Sequence, residues 1–247
     1  MANLVYMSAD TNVLLNISEG LATVTLQRPE RRNALIGPLF DELAAAFTSL
    51  SQNPEVNAVL LHGAQGAFCS GLDLKEYKAD PPPPWLTSSA ASASAAHKAI
   101  YACPVPVVGA LERFAINGGA SLALACDLLV AGQGAYLQVA EIKLGMAAPL
   151  NLTWLHERFS VAAAQQLVLT GRKFFGPDLH RLGIALEVVK DDQVLAQATQ
   201  VAREIAQCPP QGVRALKAGL AVGSSWESHR KAVLEVSQQA LSLPVQN

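Results

Sequence analysis

The chain has 247 residues, 51% of them hydrophobic and 15% charged, with a formal net charge of -2 at pH 7. That length buries a substantial core, and near-neutrality without a basic block argues against nucleic acid or a membrane surface as a partner. Four scattered cysteines (Cys69, Cys103, Cys126, Cys208) fit a reducing cytoplasmic setting, while the absence of a leader-like N-terminus or a bilayer-length apolar run completes the expectation of a soluble protein.

Alternating apolar residues in VLLNIS and ATVTLQ, joined by Glu19-Gly20, predict a β-hairpin. PLFDELAAAFTSL follows as a helix with Pro38 in its first turn. NAVLLHG, PVPVVGAL and DLLVAG read as short buried strands. SVAAAQQLVLTG is a helix with Ser160 as N-cap and Gly171 as C-terminal stop. DDQVLAQATQVAREIAQCPP runs from an aspartate cap to a proline stop, with Val194, Leu195, Ala198, Val201, Ala202 and Ile205 on one face. Two more helices follow, around VRALKAGLAV and ESHRKAVLEVSQQAL. Strands alternating with helices and then helices alone predict an α/β core over 1–190 and a helical region over 191–247.

One segment stands apart. Glu76 to His97 reads EYKADPPPPWLTSSAASASAAH, four prolines followed by a low-complexity Ser/Ala tract. The expectation is a mobile surface loop. A lid with Trp85 or Leu86 touching a substrate is the alternative.

Two glycine-bearing turns deserve joint treatment: AFCSGLDLKEY, from Ala67 to Tyr77, and INGGAS, from Ile116 to Ser121. Each follows a buried strand. Together they are able to aim backbone N–H groups at one oxygen, the requirement for stabilising a developing negative charge. Ser70, Gly71, Asp73, Leu74, Gly119 and Ser121 flank these turns as candidate substrate contacts, a structural role being the alternative for Asp73 and Ser121.

FCSGLDL, INGGASLALACDLLVAG and AEIKLGMAAPLNLTWL occur in an order that resembles the crotonase family of acyl-CoA enzymes. LQRPERRNAL and LTGRKFFGPDLHRLGIALEVV agree, so the resemblance spans nearly the whole chain. It implies a spiral of ββα turns, a C-terminal helical region used in trimers or dimers of trimers, and an acyl-CoA thioester as substrate. It also implies that the backbone N–H groups of Leu72 and Gly118 hold the thioester oxygen. Coenzyme A then enters as part of the substrate, with no separate cofactor and no metal.

Hydratases of the family carry a glutamate where this chain has Ser121, and a second one that matches Glu141. A serine is no general base at neutral pH without a base beside it. One carboxylate remains, enough to move a proton from C2 to C4 of a 3-enoyl thioester but pressed to perform two tasks in a hydration. GLDL, the uncharged position 121 and LGMAAP are most similar to single-glutamate Δ3,Δ2-enoyl-CoA isomerases. The alternatives are a hydratase of low or specialised activity, other chemistry of a thioester oxyanion, and a non-catalytic acyl-CoA-binding protein.

The chain departs from the family pattern at Asn117, where many relatives have glycine, and at Glu112-Arg113, where they commonly have Asn-Gly. Arg28, Arg31 and Arg32 near the hairpin and Lys217 in the helical tail are candidates for the CoA phosphates, with ordinary solvated charge as the alternative. Met146 and Trp154 are candidates for the acyl pocket, core packing explaining them equally well.

Overall fold

A computed structural model describes residues 3–4 and 11–242. Most of the N-terminal segment read above as leader-free lies outside them. Strand β1 (Asn3–Leu4) pairs antiparallel with β2 (Val13–Ser18), which forms the expected hairpin with β3 (Leu21–Leu26). Ser18 faces Leu21, and Glu19 and Gly20, both at positive φ, make the two-residue turn.

The chain continues through α1 (Gly37–Ser51), β4 (Ala58–Gly63), α2 (Leu74–Tyr77), α3 (Ser89–Tyr101), β5 (Val107–Leu111), β6 (Phe114–Ile116) and α4 (Gly118–Leu124). It then forms β7 (Leu128–Gly132), β8 (Tyr136–Gln138), α5 (Pro149–Arg158), α6 (Val161–Thr170), β9 (Lys173–Phe175), α7 (Gly176–Arg181) and β10 (Glu187–Val189). Helices α8 (Val194–Ala206), α9 (Pro210–Leu220) and α10 (Trp226–Ser242) end it.

The main sheet has the order β1-β2-β3-β4-β5-β7-β10, parallel from β3 onward. Parallel neighbours need crossovers, and these carry the helices that cover one face, around Phe40, Phe47, Phe68 and Trp154. A second sheet, β6-β8-β9, stands beyond the ends of β5 and β7.

Two expectations change. The Ser/Ala tract is α3, an ordered helix, because alanine is the strongest helix former and small residues let α3 pack closely on α1. Ser92, Ala93, Ala96, His97 and Ile100 form its buried stripe at helical spacing. Trp85 packs on the start of α1, where a Cβ on Gly37 would lie 3.0 Å from its ring.

Asp191 does not cap α8. It accepts from the backbone N–H of Gly134 at 2.8 Å and ties the helix start to the turn after β7. Val194, Ala198, Val201 and Ala202 of α8 cover the second face of the main sheet against Leu60, Val108 and Val130, while Leu195 turns outward. Ser160 and Gly171 bound α6 as read from the sequence.

Candidate active site

The two glycine turns meet because the chain after Phe68 adds itself alongside β6. Cys69 N–H donates to Phe114 O at 3.1 Å, and Ile116 N–H returns to Cys69 O at 3.1 Å. The close approach explains the glycines. A Cβ on Gly119 would sit 2.5 Å from Cys69 O, and one on Gly71 (φ +89) would sit 2.7 Å from Ile116 O.

Leu72 is bridged on one side only. Leu35 N–H donates to Gly71 O (2.8 Å) and Asp73 N–H donates to Leu35 O (2.9 Å). In a parallel bridge this turns the N–H of Leu72 itself to the opposite side. Gly118 opens α4, where an amide has no partner in its own helix. Neither amide donates a hydrogen bond among the described residues. A Cβ on Gly118 would lie 3.9 Å from Leu72 Cδ2, so the two turns are neighbours.

Asn117 joins this corner to the rest of the site. It adopts φ 50, ψ −113, a conformation that favours glycine and that a side chain tolerates only when its surroundings hold it. Three bonds do so. Its N–H donates to Gln138 O at 2.8 Å, its Oδ1 accepts from Ala140 N–H at 2.8 Å, and its carbonyl accepts from Asn151 Nδ2 at 3.1 Å. The departure from glycine is thus held by the side chain on Ala140 and by the residue's backbone on β8 and α5. Arg113, at the second departure, takes φ 54.

Glu141 begins a 3₁₀ turn (Glu141–Leu144) and is 9% exposed. Its Oε1 accepts from Asn151 Nδ2 at 3.0 Å. Its Oε2 is buried without a hydrogen-bond partner among the described residues. Burial raises the pKa above the ordinary carboxylate value, against the pull of its own backbone N–H and of the Asn151 amide. One oxygen is anchored and the other is free to take and return a proton.

Ser121 is in a different situation. It is fully buried, and its partner is His97 of α3, which sequence reasoning did not connect to it. Trp154 Nε1–H donates to His97 Nδ1 at 2.8 Å. An indole N–H only donates, so Nδ1 accepts and the proton of the neutral ring sits on Nε2. That N–H donates to Ser121 Oγ (3.2 Å), and the serine hydroxyl donates to Gly118 O (2.7 Å). Burial, with the Arg230 cation adding, pushes the His97 pKa down to about 3. The imidazole points its proton at the serine and therefore does not act as its base.

The remaining candidates divide. Asp73 caps α2 and is gripped by Arg28 and Arg31, with Arg31 Nη2 2.6 Å from Oδ1. The Arg31 hydrogen bond leads in pulling its carboxyl down to about 2. Arg28 also donates to Ala34 O at 2.6 Å, so its guanidinium holds the loop after the hairpin. Arg32 is exposed. Ser70 is tied to that loop through its N–H to Arg32 O. Lys217 pairs with Asp127, which also meets Arg158 at 3.0 Å. Lys217 lines a cavity of about 1030 Å³ between α9 and the core, which Leu72, Gly118 and Glu141 do not line.

Trp154 is fully buried against His97, Tyr101 and Trp226. It stands behind the site as core, a correction to its place among acyl-pocket candidates. Met146 does line a cavity of about 400 Å³, with Ile142 and Ala147, and with Val236 and Leu241 of α10; Leu72, Gly118 and Glu141 do not line this one either. Leu74 is exposed at the start of α2. Asn151 and His97 are the side chains that sequence reasoning missed. Asn151 lay inside a quoted motif, and His97 ended a segment read as loop, so neither had a periodic or spacing signal.

Comparison with known proteins agrees with this geometry. The family profile described as "Enoyl-CoA hydratase/isomerase" matches residues 16–247. The 1,2-epoxyphenylacetyl-CoA isomerase of Escherichia coli K12 is 32% identical over 209 residues, covering 83% of this chain and 80% of that one. An enoyl-CoA hydratase structure from Mycobacterium tuberculosis H37Rv is 31% identical with a TM-score of 0.76, covering 92% of this chain and 98% of that one. A structure described as an enoyl-CoA hydratase/carnithine racemase from Magnetospirillum magneticum is 29% identical with a TM-score of 0.78, covering 94% and 88%. The fold is the crotonase fold, and the chain belongs to the enoyl-CoA hydratase/isomerase family.

Proposed function

We propose that the protein is a Δ3,Δ2-enoyl-CoA isomerase in which Glu141 carries a proton between C2 and C4. The observation that carries this reading is a buried carboxylate oxygen without a partner among the described residues, Glu141 Oε2, on a side chain tied through Asn151 to the peptide that bears the Gly118 N–H. The thioester oxygen accepts from the N–H groups of Leu72 and Gly118. Glu141 takes the C2 proton, the dienolate forms with its charge on that oxygen, and the same carboxyl reprotonates C4. Donors of this kind are typically worth about 2.7–4 kcal/mol each. A raised Glu141 pKa brings the carboxyl closer to the pH at which it works, which favours giving the proton back as well as taking it.

Ser121 supplies no second carboxylate, and its hydroxyl is already engaged at both its donor and its acceptor. That disfavours activation of a water. The acyl chain extends along Ile142 and Met146 toward α10. CoA enters as part of the substrate, with the exposed Arg32 near its phosphates. Trimer formation is part of the same proposal, supported by the exposed Leu216 and Leu220 of α9.

A hydratase is the second reading, favoured by the name of the Mycobacterium tuberculosis relative. One assay separates them. With 3-hexenoyl-CoA, ultraviolet absorbance of the conjugated 2-enoyl thioester should appear and persist. Disappearance of that absorbance when 2-hexenoyl-CoA is supplied would replace isomerase with hydratase. No change with either substrate would remove both.

A further inference from the structure

One side chain approaches the base and the oxyanion turn together. Asn151, near the start of α5, is 2% exposed. Its Nδ2 donates to Glu141 Oε1 (3.0 Å) and to Asn117 O (3.1 Å). Both partners only accept, so only the NH₂ end of the amide serves them, and the amide orientation follows from chemistry.

The carbonyl of Asn117 and the N–H of Gly118 belong to one planar peptide. A bond accepted by that carbonyl sets the plane of the unit. It also polarises the peptide and strengthens the N–H at its other end, by about 10–30% in condensed-phase estimates. The Asn117 conformation, φ 50 and ψ −113, needs such holding.

Space filling does not explain the residue. Asn151 Oδ1 is buried with no hydrogen-bond partner among the described residues, a situation that costs stability. An apolar residue of the same volume fills the position without that cost. What the apolar residue lacks is the pair of donors.

We infer that Asn151 is a positioning residue that sets both halves of the reaction, anchoring Glu141 so that Oε2 is the proton-carrying oxygen and orienting the 117–118 peptide so that Gly118 N–H meets the enolate oxygen. This rests on the enolate reading of the site. It makes base and oxyanion donor parts of one assembly, held by a single amide.

Two variants test it. Asn151→Leu keeps the branching and the number of heavy atoms and removes the donors; Asn151→Asp keeps the shape and leaves an acceptor facing two acceptors. Turnover of 3-hexenoyl-CoA is measured together with the spectrum of bound 4-(dimethylamino)cinnamoyl-CoA. That chromophore absorbs at longer wavelength as its carbonyl oxygen is hydrogen-bonded more strongly. In folded variants kcat should fall about 10- to 100-fold, less than the ~10²–10³ for deleting an oxyanion donor, with KM within about threefold. The red shift of the bound chromophore should shrink in parallel.

A role in packing alone lowers Tm and leaves both readouts at the parent value, and that result would overturn the assignment. Should neither variant fold, the Asn151 side-chain NH₂ resonances of the unmodified protein decide. They should move when the chromophore saturates the site, and stationary resonances would overturn the assignment as well. If the unmodified protein shows neither turnover nor a red shift, the enolate reading itself falls, a result distinct from loss confined to the variants.

Discussion

Two buried polar chains flank α4, and they are finished differently. On one side Trp154, His97, Ser121 and the Gly118 carbonyl run donor to acceptor, with both imidazole nitrogens and the serine oxygen engaged. On the other, Asn151 reaches Glu141 and Asn117, and one carboxylate oxygen is left over. Buried polar groups are normally satisfied, because leaving one unpaired is costly. The satisfied chain is therefore structural, and the unfinished one is where a substrate supplies the missing partner. On the proposed function, the difference also separates the two family positions for a carboxylate: Ser121 belongs to the scaffold, and Glu141 carries the chemistry.

The hardest test of this contrast is Glu141→Gln, which keeps the shape and removes the base. Isomerase turnover should drop by about 10²–10⁴-fold, the usual contribution of a positioned acid–base group, with thioester binding retained in a direct titration. Turnover equal to the parent would erase the distinction between the two chains.

His97→Phe attacks the satisfied chain. It strands the Trp154 N–H and removes the bond accepted by Ser121 Oγ, whose own O–H still donates to Gly118 O, so stability should fall by about 2–4 kcal/mol, read by urea unfolding. Turnover per folded molecule should stay within about threefold, far from the loss expected for an acid–base group. A loss matching that of Glu141→Gln would mean the imidazole takes part in the reaction.

Ser121→Ala is a milder version. It leaves the His97 Nε2–H without an acceptor, costing about 1–3 kcal/mol with turnover little changed. A hydratase activity that vanishes in this variant would return the serine to the chemistry.

The pH dependence sharpens the other side. Burial raises the Glu141 pKa above its ordinary 4.5. The folded state therefore holds a proton that the unfolded chain has released, and stability falls as pH rises from 4.5 through the raised value. Glu141→Gln should accordingly be more stable than the parent at neutral pH, with the gain vanishing below 4.5, in paired thermal melts. The parent's kcat/KM should rise over the same window as the base ionises. A variant no more stable at neutral pH would show that Glu141 is not held at a cost. The smallest effect belongs to Arg32→Ala: removal of one exposed cation should raise KM about two- to fivefold, with kcat unchanged, in keeping with the ~0.2–1 kcal/mol of an exposed charge pair.

Much of the frame was legible in the chain itself. Period-two alternation marked the hairpin, helical spacing marked α1, α6 and α8, and Ser160 and Gly171 bounded α6 where the structure has them. These signals are local, set by backbone periodicity and capping, and survive whatever packs against them. The motifs also marked the two turns and Glu141, because a close backbone approach demands glycine at particular positions and a proton carrier demands an ionisable group. The Ser/Ala tract misled for the opposite reason. Its composition is low in apolar bulk, yet small side chains are what let α3 lie close to α1.

Tertiary structure alone decided which polar groups meet. His97 and Ser121 are 24 positions apart, and His97 and Trp154 are 57 apart. No local pattern announces hydrogen bonds across such separations. The same holds for Arg28, whose charge is directed inward by Asp73 of a distant turn, and for Asn151, a residue without periodic signal that touches both the base and the oxyanion peptide. Residue type and spacing determined that one carboxylate was available for chemistry. Three-dimensional placement decided which of its oxygens was left free, because hydrogen-bond satisfaction is a property of the assembled fold.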